Sequence, residues 1–451
     1  MSGLDIKDKG VSRRSFLALG AAAGGAFSMA TLFGANASEA EAKTFETLDE
    51  AVEIDMDVYE RMDENRTAFN FKYCYGDGSF PSFPGSQPVK PEFMGIIGAT
   101  EGDNQQLIDI FEGKPFEKSY EKGDPGYTPV DYAFFLGGGT TYGPLHALPA
   151  VPLVAGPGSK FVAKERYEFE SLHAASYAIK KVAKVYGADI VGIAPYDERF
   201  TYKTECKAPD FYKPVDLPFT PKSCIVIGCE MDYEAIKTAG GMSLEGGVFS
   251  AYSHCIETIA KVSNFLRLLG YYTRHSVNDL GPTGPHAISA GLGEGGRMSI
   301  LVTKEFGPRV RLAKCYTDLE CEYDKPKFFG VTEFCEVCQV CTDNCPSGAL
   351  TNKSINDPEN TAANKCSQPG VKKYYCDAQT CYVQWQIMDN GCGICITVCP
   401  YNKPQTWNHD LVKAVTLVPG LNRLARYFDH FFGFGYLATK EELSDFWKRT
   451  I

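Results

Sequence analysis

Apolar and polar residues follow different patterns on the two sides of Phe169. Residues 38–160 are polar, rich in Tyr and Gly and weakly periodic, so they predict an irregular N-terminal unit. After Phe169, the apolar spacing predicts an alternating series of elements. These are a helix over 174–185, strands over 190–193 and 223–228, a helix over 256–269, and a strand over 298–303. Helices alternating with strands predict an α/β sandwich in which helices cover a sheet.

The remaining segments differ mainly in composition. Residues 326–403 hold the clustered cysteines, and the tail from Leu411 to Trp447 is mixed apolar and basic, which predicts a helical segment that packs on the core. The run Gly291–Gly296 lacks the spacing of a Rossmann nucleotide loop, so a turn is the simpler interpretation. The predicted units are 1–37, 38–160, 161–325, 326–403 and 404–451.

The first 37 residues have the layout of an export signal. The pair Arg13-Arg14 precedes a Gly- and Ala-rich stretch that ends in Ala35-Asn36-Ala37. This pattern predicts a twin-arginine signal peptide with a small-residue cleavage site. A membrane-anchoring or buried helix is the alternative, which the glycines disfavour. Because the twin-arginine route moves folded proteins, a cysteine-bound cofactor is expected to be loaded before export.

Composition and charge narrow the class of protein. The chain has 451 residues, of which 44% are hydrophobic and 22% charged, as is typical of a globular protein. This length favours two or three domains. Its 56 acidic residues outnumber its 45 Lys and Arg, which gives a net charge of −11 and argues against a nucleic-acid partner. A disulfide scaffold suits small secreted domains rather than a chain of this size.

Most of the 17 cysteines lie after Cys315, and four of them form a recognisable motif. Cys335, Cys338, Cys341 and Cys345, the last followed by proline, have the bacterial ferredoxin spacing for a cubane iron–sulfur cluster. Three thiolates at this spacing bind one cluster, whereas the cysteine before proline reaches a neighbouring cluster. A zinc ribbon would need two simple Cys-x2-Cys knuckles, so the pattern disfavours zinc.

A second, shortened copy of the motif contains Cys392, Cys395 and Cys399. It lacks one upstream cysteine, which Cys381 can supply, with Cys376 as the alternative. The crossed arrangement predicts that Cys335, Cys338, Cys341 and Cys399 bind one cluster, and that Cys345, Cys381, Cys392 and Cys395 bind the other. A two-cluster module transfers single electrons. The cysteine motifs do not identify the group that accepts these electrons.

The middle of the chain contains a series of short motifs, namely Ala251-Tyr252-Ser253, Leu269-Gly270-Tyr271, Ala290 to Glu294 with Arg297, Phe306 to Arg311, and Tyr316 to Leu319 with Asp324-Lys325-Pro326. In their order and spacing, and together with the export signal and the two cysteine motifs, they resemble the respiratory reductive dehalogenases. The resemblance extends from about residue 170 to Trp407, whereas residues 38–160 match poorly.

The resemblance implies a nitroreductase-like sandwich that binds a cobalamin-type corrinoid, followed by a ferredoxin-like module with two [4Fe-4S] clusters. The chain has no Asp-x-His-x-x-Gly motif, which fits the family's base-off cofactor without a protein ligand to cobalt. The family also implies a small integral-membrane anchor subunit, a membrane electron donor, and peripheral attachment to the outer face of the cytoplasmic membrane. The implied corrinoid contacts are Tyr252, Gly291, Gly293, Glu294 and Gly296.

Three residues resemble the family's catalytic residues. Tyr252 looks like the proton donor, Arg311 like the cation near it, and Asn278 like a polar residue facing the substrate. A nearby guanidinium stabilises a phenolate, which makes proton donation by the phenol easier. Each residue also has a structural alternative. Tyr252 is then a packed tyrosine and Asn278 a turn cap. Arg311 then forms a surface ion pair, and Arg309 takes the catalytic role.

The implied reaction replaces a carbon-bound halogen by hydrogen, using two electrons and a proton, as the last step of organohalide respiration. We expect a small aliphatic organohalide, which the tract 407–409 weakly favours. One alternative is an epoxyqueuosine-reductase-like enzyme with the same cofactors, which the export signal and acidic charge disfavour. The other is a periplasmic two-cluster electron carrier, which would contain no cobalt.

Overall fold

A computed structural model of the chain describes most residues from 162 onward. The predicted signal peptide, most of the predicted N-terminal unit, the tract 407–409 and much of the predicted C-terminal helical segment lie outside the described residues. The described ranges are 42–67, 126–128, 131, 162–207, 210–364, 366–388, 390–403 and 435–448.

Short strands and helices of very different length make up these ranges. The strands are β1 (Lys43–Thr44), β2 (Ile190–Pro195), β3 (Thr204–Lys207), β4 (Asp210–Pro214), β5 (Ser223–Glu230), β6 (Thr273–Ser276), β7 (Glu294–Gly295), β8 (Leu301–Val302), β9 (Val310–Thr317) and β10 (Lys327–Phe328). The α-helices are α1 (Leu48–Ala51), α2 (Leu172–Tyr186), α3 (Tyr233–Ile236), α4 (Ser243–Leu268), α5 (Thr283–Ser289), α6 (Val331–Cys338), α7 (Val340–Asp343), α8 (Ala378–Met388), α9 (Ile394–Thr397) and α10 (Lys440–Asp445).

The central sheet has four antiparallel strands in the order β2-β5-β9-β6. Side chains of β5 alternate between two cores, with Ile225 and Ile227 on the side of α2 and α4, and Cys224 and Val226 on the side of α5. Because helices cover both faces, β5 is buried almost throughout and appears in the sequence as an unbroken apolar run. The sheet between helices confirms the predicted α/β sandwich.

Helix α2 shows how local signals set element boundaries. The Ser171 hydroxyl accepts a hydrogen bond from the Ala174 amide at 3.1 Å, which caps the first turn. The helix ends at Tyr186, and the capping residue Gly187 has a φ of 117°, in the left-handed region that glycine adopts without strain. Both signals are local, so the helix predicted over 174–185 lies within the observed one.

Helix α4 is much longer than its sequence pattern predicts. The predicted helix over 256–269 matches only its second half, because α4 begins at Ser243. Gly246 and Gly247 weaken the helical signal of the first half. A Cβ atom on Gly247 would lie 2.8 Å from the Ala235 Cβ, so the glycine permits close packing on α3. Tertiary packing therefore extends this helix beyond the part that the sequence pattern predicts.

The predicted strand over 298–303 is mostly wrong. Only β8 is a strand there, and Ser299 has a φ of 61°, which belongs to the turn that joins β7 to β8. The sequence pattern missed strand β9 because its charged residues interrupt the apolar alternation. Two of these charged residues are Arg311 and Lys314, whose contacts are described below.

The residues described before 162 pack on later parts of the chain. Strand β1 pairs with β10 just before the cysteine-rich module. The Tyr59 hydroxyl donates to the Arg199 carbonyl at 2.6 Å, and the Trp447 indole donates to the Asp131 carboxylate at 2.9 Å. Within the ranges given above, no helix combines the length and apolar character that crossing a membrane requires.

The cysteine-rich module shares a hydrophobic core with the sandwich. Leu244 and Val248 of α4 pack in one cluster with Phe334 of α6 and Ile394 of α9. A continuous apolar interface holds two units in a fixed relation more firmly than a polar linker does. The module is therefore part of the same compact body as the helix that carries Tyr252.

Candidate cluster and catalytic sites

The first group of thiols joins residues from both cysteine motifs. Cys335 and Cys338 lie on α6 and Cys341 on α7, while the φ of 54° at Gln339 turns the chain between these helices. The thiol of Cys399 interacts electrostatically with the thiols of the other three. We call Cys335, Cys338, Cys341 and Cys399 the first thiol group.

The second thiol group lies next to the first and contains Cys345, Cys381, Cys392 and Cys395. The Cys395 thiol interacts electrostatically with the thiols of the other three. Cys376 also lies here and hydrogen-bonds Cys381, which raises the pKa of Cys376 and lowers that of Cys381. The hydrogen bond favours Cys381 as the thiolate. Either cysteine is near enough to complete the group, so Cys381 remains a prediction.

The chemistry of both groups fits iron–sulfur clusters. Burial raises the pKa of Cys399 well above its ordinary value and that of Cys392 to about 11, because a thiolate without water or a cation is costly. Iron removes that cost by replacing the proton, and four thiolates are the usual ligand set of a [4Fe-4S] cluster. The structure brings the eight predicted ligands together in two sets, and their binding of iron stays a prediction.

The cluster region contains a buried cation that the sequence analysis missed. Lys403 is 1% exposed, and burial lowers the pKa of its ammonium group to about 7, while Cys399 and Cys338 act in the opposite direction. A lysine four residues after a Cys-Pro motif carries no recognised sequence signal. Its position near two thiols follows only from the fold.

The three predicted catalytic residues meet at one place. Tyr252 lies on α4, Arg311 on β9, and Asn278 in the loop after β6. Arg311 Nη1 donates to the Tyr252 hydroxyl at 3.4 Å, and that hydroxyl donates to Asn278 Oδ1 at 3.5 Å. The guanidinium carbon lies 4.7 Å from the centroid of the tyrosine ring, within cation–π range.

These groups form a site that is open on one side. Asn278 is exposed and Tyr252 is half-buried, so both are accessible to a ligand. Arg311 Nε is buried and has no hydrogen-bond partner among the residues that the structure describes. An accessible phenol beside a guanidinium with a spare donor fits a site for a bound cofactor and a small substrate.

Arg309 occupies a different environment. Its buried guanidinium bonds the Glu230 carboxylate and the Met231 carbonyl, and its Nε donates to Asn402 Oδ1 at 3.0 Å. These contacts join the end of β5 to the cysteine-rich module. The structure thus places Arg311, rather than Arg309, beside Tyr252.

The loop that carries Asn278 is held by a second buried cation. Lys314 Nζ donates to the carbonyls of Asp279 and Gly281 at 2.8 and 2.7 Å, and to the Thr283 hydroxyl at 3.1 Å. Burial lowers the pKa of this ammonium group to about 8. All three ammonium donors are satisfied, so Lys314 fixes the loop in which Asn278 lies.

The glycine-rich segment is packed tightly against protein. A Cβ atom would lie 2.4 Å from the Lys325 carbonyl oxygen at Gly291, 2.4 Å from the Val302 carbonyl oxygen at Gly293, and 2.7 Å from the Val302 side chain at Gly296. These close contacts with protein atoms explain why glycine occupies the three positions, and no contact with a ligand is needed to explain it.

Glu294 also has a structural role. Its carboxylate is fully buried and accepts backbone hydrogen bonds from Phe329, Val331 and Thr332 at the start of α6. Burial raises the pKa of Glu294 to about 7, although these hydrogen bonds oppose the shift. Contact of this segment with a corrinoid remains a prediction from resemblance.

The start of α4 connects the second thiol group to the open site. The Glu245 carboxylate accepts a hydrogen bond from the Gly391 amide, next to Cys392, and interacts electrostatically with Arg311. Tyr252 lies about two turns later, roughly 10 Å along the helix axis. The predicted electron-transfer module and the predicted catalytic residues are therefore close neighbours.

Comparisons with known proteins agree with this arrangement. A family described as a 4Fe-4S double cluster binding domain matches residues 334–402. A tetrachloroethene reductive dehalogenase from Desulfitobacterium hafniense is 39% identical over 331 residues, covering 63% of this chain and 60% of the relative. An epoxyqueuosine reductase from Lactococcus garvieae is 34% identical over 119 residues, covering 26% of this chain and 31% of its own.

A solved structure supports the fold across more of the chain. The catabolic reductive dehalogenase NpRdhA matches with a TM-score of 0.64 and 18% identity, covering 90% of this chain and 50% of that one. The chain thus spans about 60% of the curated relative's length and half of the structural one. The sequence is thus similar to that of reductive dehalogenases over 63% of the chain, its cysteine-rich part matches a 4Fe-4S double cluster binding domain, and its fold is that of a solved reductive dehalogenase structure.

Proposed function

We propose that the protein is a reductive dehalogenase that converts a carbon–halogen bond to a carbon–hydrogen bond. The overall change consumes two electrons and one proton and releases one halide ion for each bond converted. The observation that carries this proposal is the open Tyr252, Arg311 and Asn278 site. It lies about two turns along α4 from the Glu245 carboxylate, which accepts a hydrogen bond from the amide next to Cys392 of the second thiol group. Electrons and a proton donor are thereby brought to the same place.

A corrinoid, when bound, would supply a cobalt centre that accepts single electrons and cleaves the carbon–halogen bond. The part of the protein that we assign to this group is the open face beside Tyr252, where Arg311 keeps a buried donor without a partner in the described ranges. The Tyr252 hydroxyl holds the proton that ends on carbon. Arg311 stabilises the phenolate that remains, and Asn278 orients the hydroxyl.

We infer a small chlorinated aliphatic substrate. The curated relatives include enzymes named for tetrachloroethene, and the catalytic groups of this chain are a phenol, a guanidinium and a single exposed amide. None of these three groups carries a fixed negative charge, which suits an uncharged organohalide. The electron source is proposed to be a low-potential membrane donor, reached through a small integral-membrane anchor subunit.

Anaerobic purification followed by metal analysis and a substrate panel tests the function. We expect about eight irons and one cobalt per chain, together with chloride release from chlorinated ethenes when a reduced low-potential dye is supplied. Iron without cobalt would show an electron carrier instead. A cobalt-containing protein that reduces epoxyqueuosine in RNA and no organohalide would show the alternative enzyme.

We further propose that the protein is exported by the twin-arginine route and attached to the outer face of the cytoplasmic membrane. Changing Arg13 and Arg14 to Lys should leave a full-length, cofactor-loaded precursor in the cytoplasm, because that route reads the arginine pair. Immunoblots of spheroplast and periplasmic fractions measure this. Export of the variant equal to that of the unsubstituted protein would contradict the route.

A further inference from the structure

A buried arginine side chain lies against the first thiol group. Arg297 follows β7, and its side chain is 1% exposed. Its Nε donates to the carbonyl of Cys335 at 2.9 Å, and its Nη1 donates to the carbonyls of Thr351 and Lys353 at 3.0 and 2.8 Å. The guanidinium thus ties the first cysteine motif to the loop that follows it.

One donor group of Arg297 is not used by the protein. Its Nη2 is buried and has no hydrogen-bond partner among the residues that the structure describes. The guanidinium carbon lies 4.4 Å from the centroid of the Tyr374 ring, which covers one face of the group without supplying a lone-pair acceptor. A charged donor buried without an acceptor is costly, so native proteins normally supply one.

The surroundings indicate where the missing acceptor belongs. The guanidinium interacts electrostatically with the thiols of Cys335 and Cys341, two members of the first thiol group. A [4Fe-4S] cluster held there would present sulfur atoms that accept hydrogen bonds and a negative charge that a buried cation stabilises.

We propose that Arg297 Nη2 donates a hydrogen bond to a sulfur of the cluster bound by the first thiol group and raises the reduction potential of that cluster. The inference rests on the proposed function only in requiring that the cluster is present. Each one-electron reduction adds negative charge to the cluster, and a fixed donor and positive charge stabilise the reduced form more than the oxidised form. The net charge and the hydrogen bonds to sulfur are established determinants of such potentials.

A redox titration of the holoprotein, followed by electron paramagnetic resonance, tests the proposal. In Arg297→Gln, one of the two cluster potentials should become more negative by ~59 mV, which is about tenfold in the one-electron equilibrium constant. The other potential should stay unchanged. Arg297→Lys should give a smaller shift, because lysine keeps the charge and loses the planar set of donors.

Lys353→Gln is the matched control. Its ammonium group pairs with Glu359 at 2.8 Å near the surface, so the variant removes one positive charge from the same loop where water screens it. Both potentials should remain as in the unsubstituted protein. An equal shift in this control would attribute the effect to net charge alone and overturn the proposed hydrogen bond.

Full iron content with two unchanged potentials in Arg297→Gln would also overturn the proposal. If that variant fails to assemble, the unsubstituted holoprotein decides, with ¹⁵N placed only in arginine guanidinium groups. Coupling of the reduced cluster to an arginine nitrogen supports the hydrogen bond, and absence of coupling contradicts it. Neither measurement uses an organohalide, so the result of this test does not depend on whether the protein dehalogenates a substrate.

Discussion

Replacing Tyr252 by Phe should lower the dehalogenation rate by ~10²–10⁴-fold, the usual loss when a positioned general acid is removed. The substitution keeps nearly the whole side-chain volume and the aromatic face over which Arg311 lies, so the fold should survive. It removes the hydroxyl that contacts both Arg311 and Asn278. Product formation at saturating reductant is the measurement, with cobalt content and cobalt reduction checked in the same sample.

Tyr271→Phe is the matched control for this prediction. Its hydroxyl donates to the Tyr167 carbonyl at 2.6 Å and contacts none of the three proposed catalytic residues. Loss of that hydrogen bond should reduce stability by about 1 kcal/mol and leave the turnover rate unchanged. If Tyr252→Phe retained a rate close to that of the unsubstituted enzyme, the proton would have to come from solvent or another group, and Tyr252 would be a packed tyrosine.

The contribution of Arg311 can be separated from that of the phenol. Arg311→Leu should cause a smaller loss than Tyr252→Phe, because the proton donor remains while the phenolate is no longer stabilised. Arg311→Lys should restore part of the rate, since the charge returns without the planar donor geometry. A loss in Arg311→Leu larger than that in Tyr252→Phe would assign the main role to the arginine.

Cys399→Ser should remove the first cluster and abolish turnover with a reduced dye. Serine is nearly as large as cysteine, but its hard oxygen is a poor replacement for a soft thiolate ligand. Iron is expected to fall from about eight to about four per chain. The resonance spectrum lost in Cys399→Ser should be the one lost in Cys335→Ser, because the two thiols belong to one group although they come from different motifs.

Substitution of other cysteines in the module provides the control and the assignment. Cys366 is buried and bonded by Gln379 Nε2 at 3.4 Å, outside both thiol groups, so Cys366→Ser should keep about eight irons. Cys381→Ser should lose the second cluster and Cys376→Ser should keep it. The opposite pair of results would make Cys376 the ligand. A Cys399→Ser spectrum that matches Cys392→Ser would refute the crossed arrangement.

Features that depend on neighbouring residues were predictable from the sequence. Helix α2 follows from Ser171, Gly187 and the apolar spacing between them, because caps and amphipathic periodicity act within a few residues. The cysteine spacing likewise predicts a two-cluster module, since a cluster of fixed size needs ligands at short, fixed separations. Resemblance in short motifs was enough to select the residues that meet at the open site.

The tertiary structure decided every feature that depends on residues far apart in the chain. Two glycines weaken the helical pattern of the first half of α4, so the sequence did not predict it. This half forms because it packs on α3 and the cysteine-rich module. The charged side chains of β9 interrupt its apolar pattern, so the sequence did not predict this strand. One of them, Lys314, donates hydrogen bonds to a loop more than thirty residues away in sequence.

The same reason explains why the roles of the buried donors Arg297 and Lys314 were not predicted. A lone Arg297 or Lys314 has no distinctive local pattern, since its carbonyl acceptors are supplied by segments that only folding brings together. Each of these cations is buried away from water, so all its hydrogen-bond acceptors must come from the protein or from a bound group. The sequence by itself determined the cofactor-binding motifs and the local elements, and the three-dimensional packing determined which charges surround them.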